Sequence, residues 1–171
     1  MKLTDDKAIL KIRPAEPSDA PFMIKLSGEV FHIYGPYDRV IKGWLESSAV
    51  WCLIGSIRKK TVAFAMMSYL PLELNPLNFP ELLAIAVIPE RHGTGIGKIL
   101  LKEMEKRATM MNMEGLSLHT AIDNVAAQRL FKRNGYQVRC LKRNFYPAGQ
   151  DAIFMSNQFK DGAMETPNIR A

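Results

Sequence analysis

Three glycines within five residues, Gly93, Gly95 and Gly97, stand between an almost unbroken apolar run and a segment with helical periodicity. The run, Glu81-Leu82-Leu83-Ala84-Ile85-Ala86-Val87-Ile88, reads as a central strand covered on both faces. After Pro89-Glu90-Arg91-His92, residues Ile96, Ile99, Leu100, Met104 and Ala108 recur at the spacing of one helix face through about Met111. A strand that feeds a helix through glycine points to an α/β chain. It also turns backbone amides outward at a helix start, where the helix dipole favours an anion such as phosphate or pyrophosphate. One common phosphate loop fails and another is weakly matched. A P-loop needs glycine where His92 stands and Ser or Thr where Ile99 stands, and a dinucleotide turn needs Gly-x-Gly-x-x-Gly and a ribose-binding acid after the next strand.

The rest of the chain supplies a mixed order of elements. Ala8 to Arg13 alternates as a strand, and Ser18-Asp19 offers a cap to a helix carrying Phe22, Met23, Leu26 and Val30. Phe31 to Tyr37 reads as an aromatic loop, followed by a short helix from Asp38 to about Glu46. Val50 to Ile57 and Thr61 to Leu70 form a hairpin through Arg58-Lys59-Lys60, and a Pro-rich connection runs from Pro71 to Pro80. Leu116 to Thr120 alternates as a strand, and Asp123-Asn124 caps a helix that ends at Asn134-Gly135. Tyr136 to Leu141 and Ala152 to Asn157 close the order β-α-α-β-β-β-α-β-α-β-β. One domain over 1–171 is expected, with its core at about 8–157 and a flexible tail at 158–171.

At 171 residues and 47% hydrophobic composition, the chain can bury a core without metals or crosslinks. Cys52 and Cys140 lie in apolar runs with no metal-ligand spacing, which predicts two small core residues in a reducing compartment and no metal. No stretch has the length of a membrane span and the N-terminus lacks a signal-peptide core, so no membrane association and a cytoplasmic location are expected. The net charge of +6 attracts polyanions, but the basic residues are scattered, as on a solvated surface, and nucleic acid is disfavoured as a partner.

Val87-Ile88-Pro89-Glu90-Arg91-His92-Gly93-Thr94-Gly95-Ile96-Gly97, followed by Lys98-Ile99-Leu100-Leu101, resembles the acetyl-CoA motif of the GCN5-related N-acetyltransferase (GNAT) superfamily, whose core is Arg/Gln-x-x-Gly-x-Gly/Ala after a strand. His92 stands where that motif usually has Arg or Gln. Ile12-Arg13-Pro14-Ala15 with Ser18-Asp19 is similar to the superfamily's first strand and helix start. Leu118-His119, Asp123-Asn124, Asn134-Gly135-Tyr136 and Arg143-Asn144-Phe145-Tyr146 resemble the protein N-terminal acetyltransferase branch, the RimI-like enzymes among them. The resemblance implies a GNAT fold: a mixed, mostly antiparallel sheet of six to seven strands, helices on both faces, and the strands at Glu81 and Leu116 splayed apart. It also implies acetyl-CoA as co-substrate, held by Ile85, Ala86 and Val87 on the strand, by the backbone from His92 through Gly93, Thr94, Gly95, Ile96 and Gly97 to Lys98, and by Asn124 and Phe131. Phe31, Tyr34, Tyr37, Leu83, Phe145 and Tyr146 would line the acceptor pocket.

Amine acetylation from a thioester needs an unprotonated nucleophile, a donor to the carbonyl oxygen and a proton for the leaving thiolate. Two residues are candidates for the base. His119 occupies the strand position where the N-terminal acetyltransferases place a catalytic His or Glu, and Glu81 opens the apolar strand on the face expected for Leu83 and Ile85. The family's usual thiolate-protonating Tyr falls seven residues after Asn124, where this chain has Phe131, so water, Tyr136 or Tyr146 must serve, or the thiolate leaves unaided. The acceptor reads as a protein or peptide N-terminus. A small amine such as a polyamine or aminoglycoside, and a non-catalytic acetyl-CoA sensor, are the alternatives, in a monomer or homodimer.

Overall fold

Among the described residues, alternating apolar side chains build seven strands into one sheet: β1 (Leu10–Pro14), β2 (Val50–Ile57), β3 (Lys60–Ser68), β4 (Glu81–Val87), β5 (Gly115–Ala121), β6 (Gln137–Lys142) and β7 (Ala152–Gln158). The computed structural model describes residues 9–69 and 77–159. The strand order is β1-β2-β3-β4-β5-β7-β6. All neighbours are antiparallel except β4 and β5, which run parallel.

Two apolar layers clamp the sheet. Met23 and Leu26 of α1 (Ala20–Val30) and Ile41 of α2 (Tyr37–Ser47) pack on Phe64, Met66, Ala84 and Ala86. On the other face, Leu100, Leu101 and Met104 of α3 (Ile96–Met110) and Phe131 of α4 (Val125–Arg133) pack on Ala65, Met67, Leu82, Leu116 and Leu118. Ala63 and Ala65 are fully buried, and their small side chains let α3 approach the centre of the sheet.

Two departures from regular pairing shape the middle of the sheet. The β4–β5 ladder comprises only Glu81 with Ser117 and Leu82 with Leu118, after which the strands part. Met66 pairs with Ala84 and Met67 with Leu82, so Leu83 is the extra residue of a β-bulge. The bulge reverses the alternation expected from sequence. Leu83 packs with the α1–α2 layer, whereas Ile85 packs with the α3–α4 layer, so Glu81 keeps Leu83 but not Ile85 on its face.

Several expectations are corrected. Cys52 is buried, but Cys140 is exposed because β6 ends the sheet and most of its residues face solvent. The hairpin turn is Arg58-Lys59 alone, both at positive φ as a two-residue turn of this hand requires, and Lys60 already belongs to β3. The aromatic segment contains a turn of 3-10 helix at His32–Tyr34, and α2 begins at Tyr37. The Asp19 carboxylate does not cap α1. It turns back to accept from the Glu16 amide at 2.7 Å and from Arg13 at 2.7 and 2.8 Å. The chain remains in β7 through Gln158, and the Phe159 amide donates to the Glu114 carbonyl. Residues 1–8, most of the Pro-rich connection and 160–171 lie outside the described residues.

Candidate active site

The short β4–β5 ladder brings together the two residues considered as bases. Glu81 opens β4, is 6% exposed, and donates its amide to Ser68 Oγ at 2.9 Å. Ser117 is its partner in the ladder, and His119 lies two residues farther along β5 on the same face. The result is a contact of 2.6 Å between Glu81 Oε1 and His119 Nδ1. Phe145 lies nearly parallel to the imidazole, with ring centroids 4.2 Å apart and planes 14° apart. Phe154 packs at 4.9 Å. His119 Nε2 is buried and has no hydrogen-bond partner among the described residues.

His119 lines a cavity of about 120 Å³. Phe31, Tyr34, Tyr37 and Leu83 form one side, Tyr146 covers another, and Phe131 and Asn124 lie toward α4. Phe145 does not line this cavity; its ring is committed to His119. The walls from distant parts of the sequence are joined. Ala148 donates its amide to the Tyr34 carbonyl at 3.1 Å, and Gln150 Nε2 donates to the Ile33 carbonyl at 2.7 Å. A Cβ on Gly35 would lie 2.8 Å from Pro147, so this contact requires glycine, as does its φ of +136°. The Tyr34 and Tyr146 rings meet at 4.9 Å across the seam.

Burial sets the tyrosines' acidity. Tyr37 is pushed up to about 12, by burial first and then by the nearby negative charge of Glu81. Tyr146 is raised further by burial and by Tyr37, Tyr34, Glu81 and Asp123, so its hydroxyl keeps its proton. Tyr136, the other expected proton source, is buried against Phe131 and influenced by Glu105 of α3, and it does not line the cavity.

A groove of about 620 Å³ follows the glycine turn, lined by Ile85, Val87, Gly93, Gly95 and Gly97 and by the basic residues Arg91, Lys98, Arg129 and Arg133. Gly93 and Gly95 adopt φ of +74° and +86°, and a Cβ at either would meet nothing within 4 Å, so the space above them is open. The first helical bond of α3 at this end runs from the Ile99 amide to Gly95, leaving the preceding amides for an anion. His92 differs from its expected part. Its amide donates to Pro89, and its Nε2 lies 2.7 Å from the Val87 carbonyl, so the side chain holds the turn against the end of β4. The Ile88 amide donates to Val62 on β3. Strand alternation therefore turns the Ala86 peptide toward β3 and those of Ile85 and Val87 into the gap beside β5.

Asn124 Oδ1 accepts from the Ala127 amide at 3.1 Å and starts α4. One turn apart on that helix, Arg129 and Arg133 both reach the groove. The motifs in the sequence do not single them out, although their i, i+4 spacing places them on one face. His32 stays outside the site, its Nδ1 2.8 Å from the Glu29 carbonyl. Among the described residues no group of His, Cys, Asp or Glu is placed to hold a metal, and no helix is long and apolar enough to cross a membrane. The open glycine turn, the basic groove and the unpaired edge of β4 suit a ligand with an anionic end and an amide-bearing arm.

Residues 16–136 match the profile of the acetyltransferase (GNAT) family. Over 76 residues the chain is 37% identical to an uncharacterized N-acetyltransferase of Methanocaldococcus jannaschii, covering 44% of this chain and 49% of that protein. The chain spans about half the length of the first curated relatives it matches. A longer match, 25% identical over 161 residues, covers 91% of this chain and 88% of an N-alpha-acetyltransferase of Sulfurisphaera tokodaii. In fold, it superposes on the ribosomal-protein-S18-alanine N-acetyltransferase of Escherichia coli with a TM-score of 0.73 at 22% identity, over 95% of this chain and 100% of that one.

Proposed function

The chain belongs to the acetyltransferase (GNAT) family, and we propose that it transfers an acetyl group from acetyl-CoA to the α-amino group of a protein or peptide N-terminus. The observation that carries this reading is the Glu81–His119 pair, a buried carboxylate against a part-buried imidazole, which sits at a cavity walled by rings from the α1–α2 segment and the β6–β7 loop. That cavity shares Ile85, Ala127 and Leu130 with the basic groove.

Acetyl-CoA, when bound, supplies an acetyl group activated as a thioester. Gly93 to Lys98 would hold its pyrophosphate through backbone amides, with Arg91, Arg129 and Arg133 adding charge. The open peptide group of Ile85 and the amide of Val87, whose carbonyl is held by His92, would align the arm, and an amide there would face the developing negative oxygen. The Glu81–His119 pair would take a proton from the incoming ammonium. An α-amino group titrates near 7.7–8.0 and a lysine near 10.4, so a base of this type releases the α-amine more readily. Tyr146, protonated and on the cavity wall, would relay the second N–H proton of the amine to the leaving sulfur, in place of the hydroxyl that Phe131 lacks.

The N-alpha-acetyltransferase of S. tokodaii, matched over most of both chains, supports the choice of acceptor. The test is incubation with acetyl-CoA and peptides that differ in their first residue, with the acetyl group located by mass spectrometry. Acetate on α-amines is expected. Product on polyamines or aminoglycosides alone, or acetyl-CoA binding without turnover on any amine, would replace this reading with one of the two alternatives.

A further inference from the structure

We infer that Glu81 is not itself the base but a positioning residue, which fixes His119 in the tautomer whose Nε2 accepts the proton from the acceptor amine. This rests on the proposed acetyl transfer for its chemical consequence, but not for its geometry.

An ionised carboxylate can only accept hydrogen bonds, so a contact of 2.6 Å between Glu81 Oε1 and His119 Nδ1 places the ring proton on Nδ1. The lone pair of the neutral ring then lies on Nε2, the one ring nitrogen left without a partner among the described residues. Three further contacts restrict the pair. The Glu81 amide is tied to Ser68 Oγ, Phe145 lies flat on the imidazole at 4.2 Å, and Phe154 packs at 4.9 Å. A ring held between two aromatics and a carboxylate cannot flip without losing these contacts. Glu81 is 6% exposed and its Oε1 is engaged by the ring, whereas His119 lines the cavity and Glu81 does not.

In the transfer, Nε2 takes one proton from the ammonium, and the freed amine lone pair forms the N–C bond as the C–S bond breaks and its electron pair leaves on sulfur. The second N–H proton passes to that sulfur through Tyr146 or water. Glu81, facing Nδ1, stabilises the imidazolium formed meanwhile, and the imidazolium then returns its proton to solvent.

Two measurements test this on the full chain. Nitrogen–proton correlation spectra of the imidazoles, recorded where the rings are neutral and assigned among His32, His92 and His119 with a His119→Ala variant, should show His119 protonated on Nδ1. That signature should shift toward the other tautomer in Glu81→Leu, which removes the acceptor. A ring protonated on Nε2, or spectra unmoved by Glu81→Leu, would overturn the inference whether or not the protein turns over any amine. Kinetics separate the roles. Glu81→Gln should lower kcat by about 10- to 100-fold, with KM for acetyl-CoA within about two-fold and a displaced acidic limb in the pH profile. Glu81→Asp should recover part of the loss. In a His119→Ala background, Glu81→Gln should cost nothing further, since it acts only through the missing ring. A larger loss from Glu81→Gln than from His119→Ala, or additive losses, would make Glu81 the base instead.

Discussion

His92 Nε2 lies 2.7 Å from the carbonyl oxygen of Val87, across five residues that carry the chain from the end of β4 into the glycine turn. At the position where the resembling motif has Arg or Gln, this chain therefore has a side chain engaged with its own backbone. Val87 turns its peptide into the gap beside β5, so the clasp fixes the turn relative to the strand edge offered to the co-substrate.

His92→Ala should loosen this turn. Loss of one hydrogen bond of typical net strength predicts acetyl-CoA binding weakened by about 2- to 12-fold in calorimetry. His92→Gln, which retains a donor, should recover much of the affinity. Thermal stability should change little, because His92 is exposed.

Tyr146 and Phe131 line the same cavity from different elements. If the Tyr146 hydroxyl supplies the proton to the leaving sulfur, Tyr146→Phe should lower kcat by about 10-fold or more with a smaller change in KM. Phe131→Tyr, introduced into that variant, should restore part of the rate by returning a hydroxyl to the α4 side. Steady-state kinetics on the three proteins check this.

The Arg13–Asp19 pair joins β1 to α1, and its pH dependence has a definite sign. Two bonds from Arg13 hold the Asp19 carboxyl below its ordinary value, burial opposes them, and the Glu16 amide assists. A folded-state value below the unfolded one gives stability that is fully present above the ordinary carboxyl value of 3.8 and is lost as pH falls through the lower folded value. Asp19→Asn should therefore cost about 1–3 kcal/mol in urea unfolding at pH 7. The difference from the wild-type protein should narrow below pH 4.

Local rules made much of this fold legible. The apolar run of β4, the glycine turn and the periodicity of α3 could be read in order, as could Asn124 as a cap, because each depends on neighbours in sequence. Effects acting across the sheet could not. The bulge at Leu83 exists only against Met66 and Met67 of β3, and it moves Ile85 to the other face. The sequence predicts Cys140 in the core beside Val138 and Leu141, yet its strand ends the sheet and leaves it exposed. Glu81 and His119 could each be named as a base, but their contact spans 38 residues and depends on the parallel register of β4 and β5. Likewise, the aromatic character of Phe145 suggested a pocket wall, and only the closure of the β6–β7 loop lays it on His119.

The most direct test of α-amine transfer through His119 uses one peptide with a free α-amine and an internal lysine, incubated with acetyl-CoA near neutral pH and sequenced by tandem mass spectrometry. Acetylation of the α-amine in clear excess over lysine, abolished or severely reduced by His119→Ala, is the predicted result. Acetylation confined to lysine, or an α-amine product formed equally well by His119→Ala, would contradict it.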